Sequence, residues 1–460
     1  MDTRRDIRLG AADSAWWGME EPVNQMTITA VLTFGARVDF ARVRELVVAR
    51  LLPLAPFRHR LRRPRLGVGI PRWVPDREFD LDRHLRRATL SPPGDDGALQ
   101  ALVSRLMSQP LDRHYPLWEF HFVERYGDGS ALVARIHHCI ADGVALIHLL
   151  LTLDDVPGNE GIANTWAQNG ALPARTLRMA TVGAAARALG RLVVLPPDPR
   201  GRLRGPLQTR KHAAWSPPFA LGELRAASRA RGCTINDLLV AAAAGALRTY
   251  LAHDARETRR VRAVVPVNLR RPDEVGTMGN RFGLVFLALP VGVADPAERL
   301  RRVHDEMVRL KASCEAGVTY GLMALFGPLG RVAVRLAVRF LGWKASLVFT
   351  DVPGPRETVW FAGAPLTSVM AWVPQSGRLS LGMSVLSYAG QVQVGMAADA
   401  GLIPDPGALL EAYRAALAEL LEPPCERGSV PAPAPVGAAG LPPRTGPDPA
   451  DAPEPALQEA

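Results

Sequence analysis

Two apolar patterns near the N-terminus predict the first elements of the fold. From Met26 to Phe34, apolar residues fall at every second position, which predicts a strand with one buried face. From Phe40 to Leu54 they repeat every three or four positions, which predicts a helix that ends near Pro53 and Pro56. We therefore expect a strand followed by a helix.

A second pair of strands is predicted over Leu117 to Arg125 and Ala131 to His137. Gly127-Asp128-Gly129 between them predicts a hairpin turn. Apolar positions at helical spacing resume at Gly143. The segment His137-His138-Cys139-Ile140-Ala141-Asp142-Gly143 is thus expected where a strand ends and a helix begins.

Composition divides the chain into four parts. Residues 1–156 and 219–422 each mix strand and helix patterns, and the second part contains a long helix that opens at Thr234-Ile235-Asn236-Asp237. Gly, Pro, Ala and Arg dominate residues 157–218, which we interpret as an interdomain connection. Residues 423–460 are rich in Pro and Ala and lack aromatic, Ile and Met residues, so we predict a disordered tail. The strand and helix patterns of both large parts predict a mixed α/β fold.

Charge and cysteine content narrow the possible functions. The formal net charge is +10 over 460 residues, but the basic residues are spread along the chain, so no nucleic-acid partner is indicated. The four cysteines show no spacing typical of a disulfide framework or zinc site. We therefore expect no metal, and a cytoplasmic location because the N-terminus lacks the apolar stretch of a secretory signal.

One apolar segment carries a basic stripe. Val318 to Gly342 is interrupted by Arg331, Arg335 and Arg339, which are spaced by about one helical turn. The stripe has two interpretations: it is the solvated face of a packed helix, or it lies on an anionic membrane or lipid-droplet surface. The second interpretation predicts peripheral contact with a membrane or lipid droplet.

The adjacent histidines His137 and His138 are candidate catalytic residues. Because neighbouring side chains at a strand end point to opposite faces, only one imidazole can enter a given cavity. An imidazole, with an ordinary pKa of about 6.5, suits removal of a proton from a hydroxyl group. The chain has no GxSxG motif and Cys139 has no identifiable base, which favours direct acyl transfer. Two ordinary strand-end histidines are the alternative.

Asp142, four residues after His138, also has two interpretations. It could orient the imidazole as the acid of a catalytic triad does, or it could close the turn and pair with an arginine. Asp before Gly is common at turns and helix starts, which favours the structural role. Gly143 permits a close approach of the backbone.

The chain resembles the bacterial wax ester synthase/diacylglycerol acyltransferase family, which belongs to the superfamily of HHxxxDG acyltransferases. The residues that carry the resemblance are the segment from His137 to Gly143 and six further elements. The resemblance runs from Asp13 to Leu421 in the family's order, and such a series is far more specific than two histidines. The further matches are Pro116-Leu117-Trp118-Glu119, Asn236-Asp237, Pro266-Val267-Asn268-Leu269-Arg270, Gly279-Asn280-Arg281, Val352-Pro353-Gly354-Pro355 with Phe361-Ala362-Gly363, and Ser387-Tyr388 ahead of Asp399.

The resemblance implies two chloramphenicol-acetyltransferase-like domains with mixed sheets and an interdomain tunnel that contains the histidine motif. It implies that His138 is the catalytic base, supported by His137, Asp142 and Gly143. It also implies acyl-CoA as co-substrate without any cofactor, and diacylglycerol or a long-chain fatty alcohol as acceptor. The implied substrate-binding residues are Pro116, Leu117, Trp118, Asn236, Asp237 and Asn280.

Alternatives remain open for these residues and for the function. Pro116-Leu117-Trp118 also fits a strand entry with a core tryptophan, and Asn236-Asp237 also fits a helix cap. Thr350-Asp351 stands where the family has Ser-Asn, which places a negative charge where an amide is expected. A condensation-type N-acyltransferase and a non-catalytic lipid-surface protein of the same fold are the alternative functions.

Overall fold

Strands and helices alternate along most of the chain, as the apolar patterns predict. A computed structural model describes residues 6–153, 182–199, 201–252, 261–271, 274 and 277–422. In chain order the strands are β1 (Ile7–Arg8), β2 (Thr27–Phe34), β3 (His59–Arg62), β4 (Arg72–Pro75), β5 (Leu85–Ala88), β6 (Trp118–Tyr126), β7 (Gly129–His137), β8 (Lys211–Trp215), β9 (Phe219–Ala220), β10 (Val261–Asn268), β11 (Phe282–Leu289), β12 (Leu347–Pro353), β13 (Trp360–Phe361), β14 (Ala364–Trp372), β15 (Leu381–Tyr388) and β16 (Gln391–Asp399).

The helices cover the sheets. In chain order they are α1 (Ala11–Met19), α2 (Phe40–Leu46), α3 (Leu81–His84), α4 (Asp96–Met107), α5 (Gly143–Thr152), α6 (Val182–Val194), α7 (Leu221–Ala230), α8 (Ile235–Leu251), α9 (Pro296–Ala312), α10 (Glu315–Phe326), α11 (Arg331–Gly342) and α12 (Pro406–Leu421). The predicted helix from Phe40 is α-helical only to Leu46 and continues as a π-helical turn, Val47–Leu51.

Two large mixed sheets and one small sheet organise these strands. The first large sheet has the order β13-β14-β2-β7-β6-β5, the second has the order β11-β10-β12-β15-β16-β8 with β9 beside β16, and the small sheet has the order β1-β4-β3. Within the first sheet, β2 pairs antiparallel with β7, with Ile28 opposite Ile136. In the second, β12 pairs parallel with β15. The predicted mixed α/β class is confirmed.

Three strands, β8, β13 and β14, join a sheet that their place in the sequence does not suggest. β14 lies within the predicted C-terminal domain, yet it pairs with β2 of the first sheet. β8 lies within the predicted connection, yet it pairs with β16 of the second sheet. Alternation of apolar residues defines the faces of a strand but not its neighbours. The domain limits stay a prediction, and residues 154–181 of the connection and the tail at 423–460 lie outside the described residues.

The histidine motif lies at the predicted junction. β6 and β7 form a hairpin, and every residue of β7 is buried. The strand ends at His137, and α5 begins at Gly143 after a short turn. The Asp142 side chain accepts a hydrogen bond from the backbone N–H of Ala145 at 2.9 Å, which caps the first turn of α5.

Helix α11 turns its apolar side outwards. Val332 is 75% exposed and Leu336 is 63% exposed, whereas Arg331 and Arg335 are partly buried. Arg335 Nη2 donates to the carbonyl of Glu20 at 2.6 Å, so this guanidinium group is held against the body of the protein. Of the two interpretations of the stripe, the solvated face fits Arg339, which is exposed, but not Arg331 and Arg335, which are partly buried.

Candidate active site

His138 follows the last residue of β7, and aromatic side chains enclose its imidazole. The ring stacks on Trp16 of α1, with centroids 4.2 Å apart and planes 8° apart, and the Phe282 ring lies at 5.5 Å. The backbone N–H of His138 donates to the carbonyl of Met26 at 2.7 Å. These contacts fix both the backbone and the ring, so the imidazole has a defined orientation.

Burial determines the protonation state of this imidazole. Desolvation lowers the pKa of His138 to about 4, although the Asp142 charge and the Asn280 side chain favour the protonated ring. The imidazole is therefore neutral near pH 7. Its Nδ1 is buried and has no hydrogen-bond partner within the described part of the chain. A neutral imidazole is the form that a general base requires.

His137 belongs to an ionic network on the other side of the strand. Its Nε2–H donates to Glu20 Oε2 at 2.7 Å, and its Nδ1 accepts from the backbone N–H of Cys139 at 3.1 Å. Arg113 Nη2 lies 2.8 Å from the same Glu20 oxygen. Burial opposes ionisation of Glu20, but His137 and Arg113 outweigh it and lower the pKa of Glu20 to about 2. The predicted division between the two imidazoles is confirmed.

Asp142 holds the turn after the histidines together. Its Oδ2 accepts from Arg270 Nη2 at 2.8 Å and from the backbone N–H of Arg281 at 2.9 Å. Arg270 is fully buried and also donates to the carbonyl of Gly279 at 2.9 Å. The Asp142 oxygens bind these groups and Ala145, not the imidazole of His138. The pairing with an arginine is confirmed, and it joins the motif to the chain that precedes β11.

Asn280 fixes the carbonyl group of His138. Its Nδ2 donates to the carbonyl of His138 at 2.7 Å and to Asp13 Oδ1 at 2.7 Å. Asp13 also accepts from the backbone N–H of Asn280 at 2.9 Å. Burial raises the pKa of Asp13 to about 6, against the effect of these hydrogen bonds. Asn280 thus contacts the backbone of the motif, and α1 is tied to it through Asp13.

A cavity of about 80 Å³ opens beside His138. Asn268, Asp351 and Ser376 give its wall a polar part, and Trp16 and Phe282 give it an apolar part. Asp351 stands where the resemblance implies an amide. Desolvation alone raises the pKa of Asp351 to about 6. The departure therefore places a titratable carboxyl group in the wall of the cavity that contains His138.

A second cavity, of about 100 Å³, has an almost wholly apolar wall. Strands β2 and β7 and helix α5 supply many of its side chains, among them Ile28, Ile136 and Ile147. The residues that line both cavities are Gly143, Thr350, Val352 and Val373. The two cavities are therefore adjacent, and an alkyl chain in the second would be enclosed by apolar side chains.

Gly143 lies where the two cavities meet. A Cβ atom at this position would lie 3.1 Å from Cγ2 of Val352, which is tighter than an ordinary contact. The absence of a side chain thus keeps the first turn of α5 close to β12 without filling the space between the cavities.

None of the six predicted substrate-binding residues lines either cavity. Pro116, Leu117 and Trp118 belong to the core: Trp118 is fully buried, its Nε1 donates to the carbonyl of Phe57 at 3.0 Å, and it stacks on His84. The carbonyl of Leu117 accepts from the backbone N–H of His137 at 2.9 Å. This element therefore supports the end of β7, which fits the interpretation as a strand entry with a core tryptophan. Its predicted role in substrate binding stays a prediction.

Asn236 and Asp237 lie at the start of α8. Asp237 forms a reciprocal capping box with Thr234, with hydrogen bonds of 2.9 and 3.1 Å, and it also lies 2.9 Å from Nδ1 of His304. Asn236 Oδ1 is buried without a hydrogen-bond partner among the residues described. The capping interpretation of this pair is confirmed, and its predicted role in substrate binding stays a prediction.

Three residues that sequence reasoning missed complete the site: Trp16, Glu20 and Arg270. Trp16 and its neighbour Trp17 are conspicuous in the sequence as two large aromatic residues among small ones just before the first long strand. Arg270 lies within the matching element that begins at Pro266. No local signal connects Glu20 to His137, because the two are 117 positions apart.

Two further properties concern metals and membranes. Within the ranges that the structure covers, no group of three or more His, Cys, Asp or Glu side chains could hold a metal ion. None of the described helices has both the length and the apolar character needed to cross a bilayer.

Two solved structures share the fold. The first condensation domain of the calcium-dependent antibiotic synthetase is 18% identical, with a TM-score of 0.62 over 91% of this chain and 97% of that domain, which establishes the fold alone. A wax ester synthase/diacylglycerol acyltransferase from Marinobacter aquaeolei VT8 is 26% identical, with a TM-score of 0.66 over 90% of this chain and 98% of that chain. Fold and motif define an acyltransferase of the chloramphenicol-acetyltransferase-like class.

Comparison of the sequence with family models and with named relatives identifies the family. The model of the wax ester synthase/diacylglycerol acyltransferase catalytic domain matches residues 9–239, and that of the C-terminal domain matches residues 278–421. The Mycobacterium tuberculosis protein named "Probable diacyglycerol O-acyltransferase tgs1" is 32% identical over 404 residues, which cover 81% of this chain and 86% of that protein. The chain belongs to the wax ester synthase/diacylglycerol acyltransferase family, and the predicted resemblance is confirmed.

Proposed function

We propose that this acyltransferase moves a fatty acyl group from acyl-CoA to the hydroxyl group of diacylglycerol or a long-chain alcohol, with His138 as general base. The observation that carries the proposal is the neutral, stacked imidazole of His138 in the wall of a cavity that adjoins an apolar one. The names of the relatives, diacylglycerol O-acyltransferase and wax ester synthase, support both acceptors.

The reaction needs one base and no covalent acyl-enzyme. The imidazole of His138 takes the hydroxyl proton of the acceptor as its oxygen attacks the thioester carbonyl carbon. When the tetrahedral intermediate collapses, the carbon–sulfur bond breaks and the imidazolium returns the proton to the leaving thiolate. The products are an ester and free CoA. Cys139 is unsuited to nucleophilic attack, because burial raises the pKa of its thiol well above the ordinary value.

The two cavities supply the space for the substrates. We propose that they are parts of the interdomain tunnel that the resemblance implies, with an alkyl chain in the apolar cavity and the reacting groups beside His138. Their four shared lining residues support this assignment. His137, Asp142 and Gly143 would then act as positioning residues, through Glu20, Arg270 and the approach of α5 to β12.

An acceptor panel tests the proposed reaction. Purified protein is incubated with labelled palmitoyl-CoA and, separately, with diacylglycerol, hexadecanol or hexadecylamine. We expect labelled triacylglycerol, wax ester or both. Labelled amide as the sole product would favour the N-acyltransferase alternative and contradict the proposal. His114→Ala, which removes an exposed histidine, is the matched control for a His138→Ala variant and should form product as wild type does.

We also propose that a lipid surface delivers the acceptor, and that the protein contacts this surface through exposed apolar residues of α10, α11 and their flanks. We call this set the apolar face. Large apolar side chains without a covering element are typical of a lipid or protein contact. The members of the apolar face are Leu325, Leu329, Val332, Leu336, Phe340 and Trp343.

Vesicle flotation tests the apolar face. We expect the Val332→Gln/Leu336→Gln variant to float less with phosphatidylcholine vesicles than wild type, because apolar burial at the bilayer is lost. Val48→Gln/Val308→Gln removes two exposed valines elsewhere and should not change flotation. Equal flotation of all three proteins would contradict the proposed contact.

A further inference from the structure

Four arginine side chains from three parts of the chain converge on Trp17 and Glu20. The guanidinium carbon of Arg63 lies 5.0 Å from the Trp17 ring centroid, and that of Arg113 lies 5.2 Å away. Arg335 donates to the Glu20 carbonyl. Arg331, together with Arg63 and Trp17, lines a cavity of about 350 Å³, which we call the arginine cavity. The members of the cluster are Arg63, Arg113, Arg331 and Arg335.

The described protein groups do not neutralise this cluster. Of the four arginines, only Arg113 is ion-paired with a carboxylate of the described chain, that of Glu20. Nη1 of Arg113 and Nε of Arg331 and Arg335 are buried without a hydrogen-bond partner among the described residues. Burial and then the neighbouring arginines lower the pKa of Arg331 to about 10. Held this close, the like charges repel, and an anion would relieve the repulsion.

The rim of the arginine cavity is apolar. Leu66 is 92% exposed and Val68 is 59% exposed, and both lie in the loop between β3 and β4. Val332, already assigned to the apolar face, belongs to the same rim. Guanidinium groups bind phosphate oxygens in a planar, paired geometry. A cationic cavity with an exposed apolar rim therefore fits an amphiphile with a phosphate head.

We propose that the arginine cavity binds the headgroup phosphate of an anionic phospholipid while Leu66, Val68 and Val332 enter the apolar layer of the lipid surface. The inference rests on the surface contact of the proposed function and specifies its headgroup chemistry. CoA also carries phosphates, but its nucleotide is polar, and the exposed apolar rim favours the phospholipid.

Flotation of a charge-neutralised variant tests the site. Arg63→Gln/Arg331→Gln removes the two cluster arginines that make no hydrogen bond or ion pair with another described residue, so we expect it to fold. Arg225→Gln/Arg229→Gln is the control, since it removes two exposed charges one turn apart on α7. We expect the cluster variant to bind equimolar phosphatidylcholine/phosphatidylglycerol vesicles about tenfold or more weakly than wild type, and the control to bind nearly as wild type.

Three results of the flotation experiment would each overturn the proposed phosphate site. It is overturned if the cluster variant binds mixed vesicles as wild type does, if the control loses as much, or if wild type does not prefer mixed vesicles to pure phosphatidylcholine. Equilibrium dialysis with CoA checks the other phosphate source: we expect wild type and the cluster variant to bind CoA equally. Loss of CoA binding with unchanged flotation would assign the cavity to the acyl donor.

The two proposals fail separately. Flotation requires no turnover, so wild type that binds mixed vesicles but forms no ester would contradict acyl transfer and support the phosphate site. Wild type that forms ester but shows no preference for anionic vesicles would support acyl transfer and contradict the phosphate site.

Discussion

The adjacent tryptophans of α1 face two opposite environments. Trp16 stacks on the neutral imidazole of His138 and lines a small cavity. Trp17 lies against the guanidinium groups of Arg63 and Arg113 and lines the arginine cavity. One short helix thus contacts both the cavity that contains His138 and the cavity that Arg63 and Arg331 line.

The two adjacent histidines also lie in different environments. His137 is bonded to Glu20, whose other partner is Arg113 of the cationic cluster. The His138 ring lies against Trp16 and Phe282, and desolvation outweighs the effects of Asp142 and Asn280, so the imidazole stays neutral. The ionic network of Glu20 and Arg113 thus holds His137, whereas the imidazole of His138 lies among aromatic rings and is neutral.

The largest expected effect concerns the ion pair that joins the motif to the second half of the chain. Arg270→Met leaves the buried Asp142 carboxylate without its partner, and we expect a loss of about 3 to 5 kcal/mol in the free energy of unfolding. Urea denaturation measures it. Arg271→Met, at the neighbouring exposed arginine, should change stability by about 0.5 kcal/mol or less. Similar values for both variants would contradict the structural role of the pair.

The Glu20 network predicts a pH-dependent stability. Its folded pKa of about 2 lies below the ordinary 4.5, so its contribution is present above about pH 4.5 and is lost as the pH falls towards 2. Glu20→Gln should cost at most about 3 kcal/mol at pH 7 and little near pH 2. Unfolding curves across this range measure the difference. Glu21→Gln is the control, and a Glu20→Gln deficit that does not shrink at low pH would be inconsistent with the network.

Asp351 predicts a stabilising substitution. Its folded pKa of about 6 lies above the ordinary 3.8, so the native state loses stability as the pH rises through this interval. Asp351→Asn should raise the free energy of unfolding by about 1 to 2 kcal/mol at pH 7, and the gain should vanish near pH 4. Asp128→Asn, in an exposed turn, should be neutral. No gain at pH 7 would mean that the carboxylate has a stabilising partner in the native protein.

The smallest effect separates the two tryptophans. Trp16→Leu removes the ring that stacks on His138, and we expect kcat/KM to fall by about fivefold, because such ring contacts contribute about 1 kcal/mol. Trp17→Leu should instead weaken binding to anionic vesicles and leave kcat/KM in a detergent assay near that of wild type. Equal losses of kcat/KM would show that the distinction between the two faces of α1 is incorrect.

Much of the fold could be predicted from periodicity. The hairpin of β6 and β7, the position of the motif before α5 and the capped start of α8 all follow from local signals over a few residues. The division of labour between His137 and His138 also follows locally, because neighbouring strand residues point to opposite faces.

The rest depends on contacts between distant residues. The stack of Trp16 on His138 and the Asp142–Arg270 pair join positions more than 100 residues apart, and no local pattern encodes them. The element at Trp118 matched a family motif, but a motif match does not distinguish a residue that binds substrate from one that holds a strand end. Likewise, helical spacing placed Arg331 and Arg335 on one stripe without indicating which way that stripe faces.

The most direct test of the account is turnover by His138→Ala with palmitoyl-CoA and the preferred acceptor of the panel. We expect kcat to fall by about 10² to 10⁴, or roughly 3 to 5 kcal/mol of barrier, in a protein that unfolds cooperatively like wild type. Added imidazole should restore part of the activity, because it can enter the space that the ring vacates. A folded His138→Ala protein that turns over as fast as wild type would contradict the role of His138 as the general base.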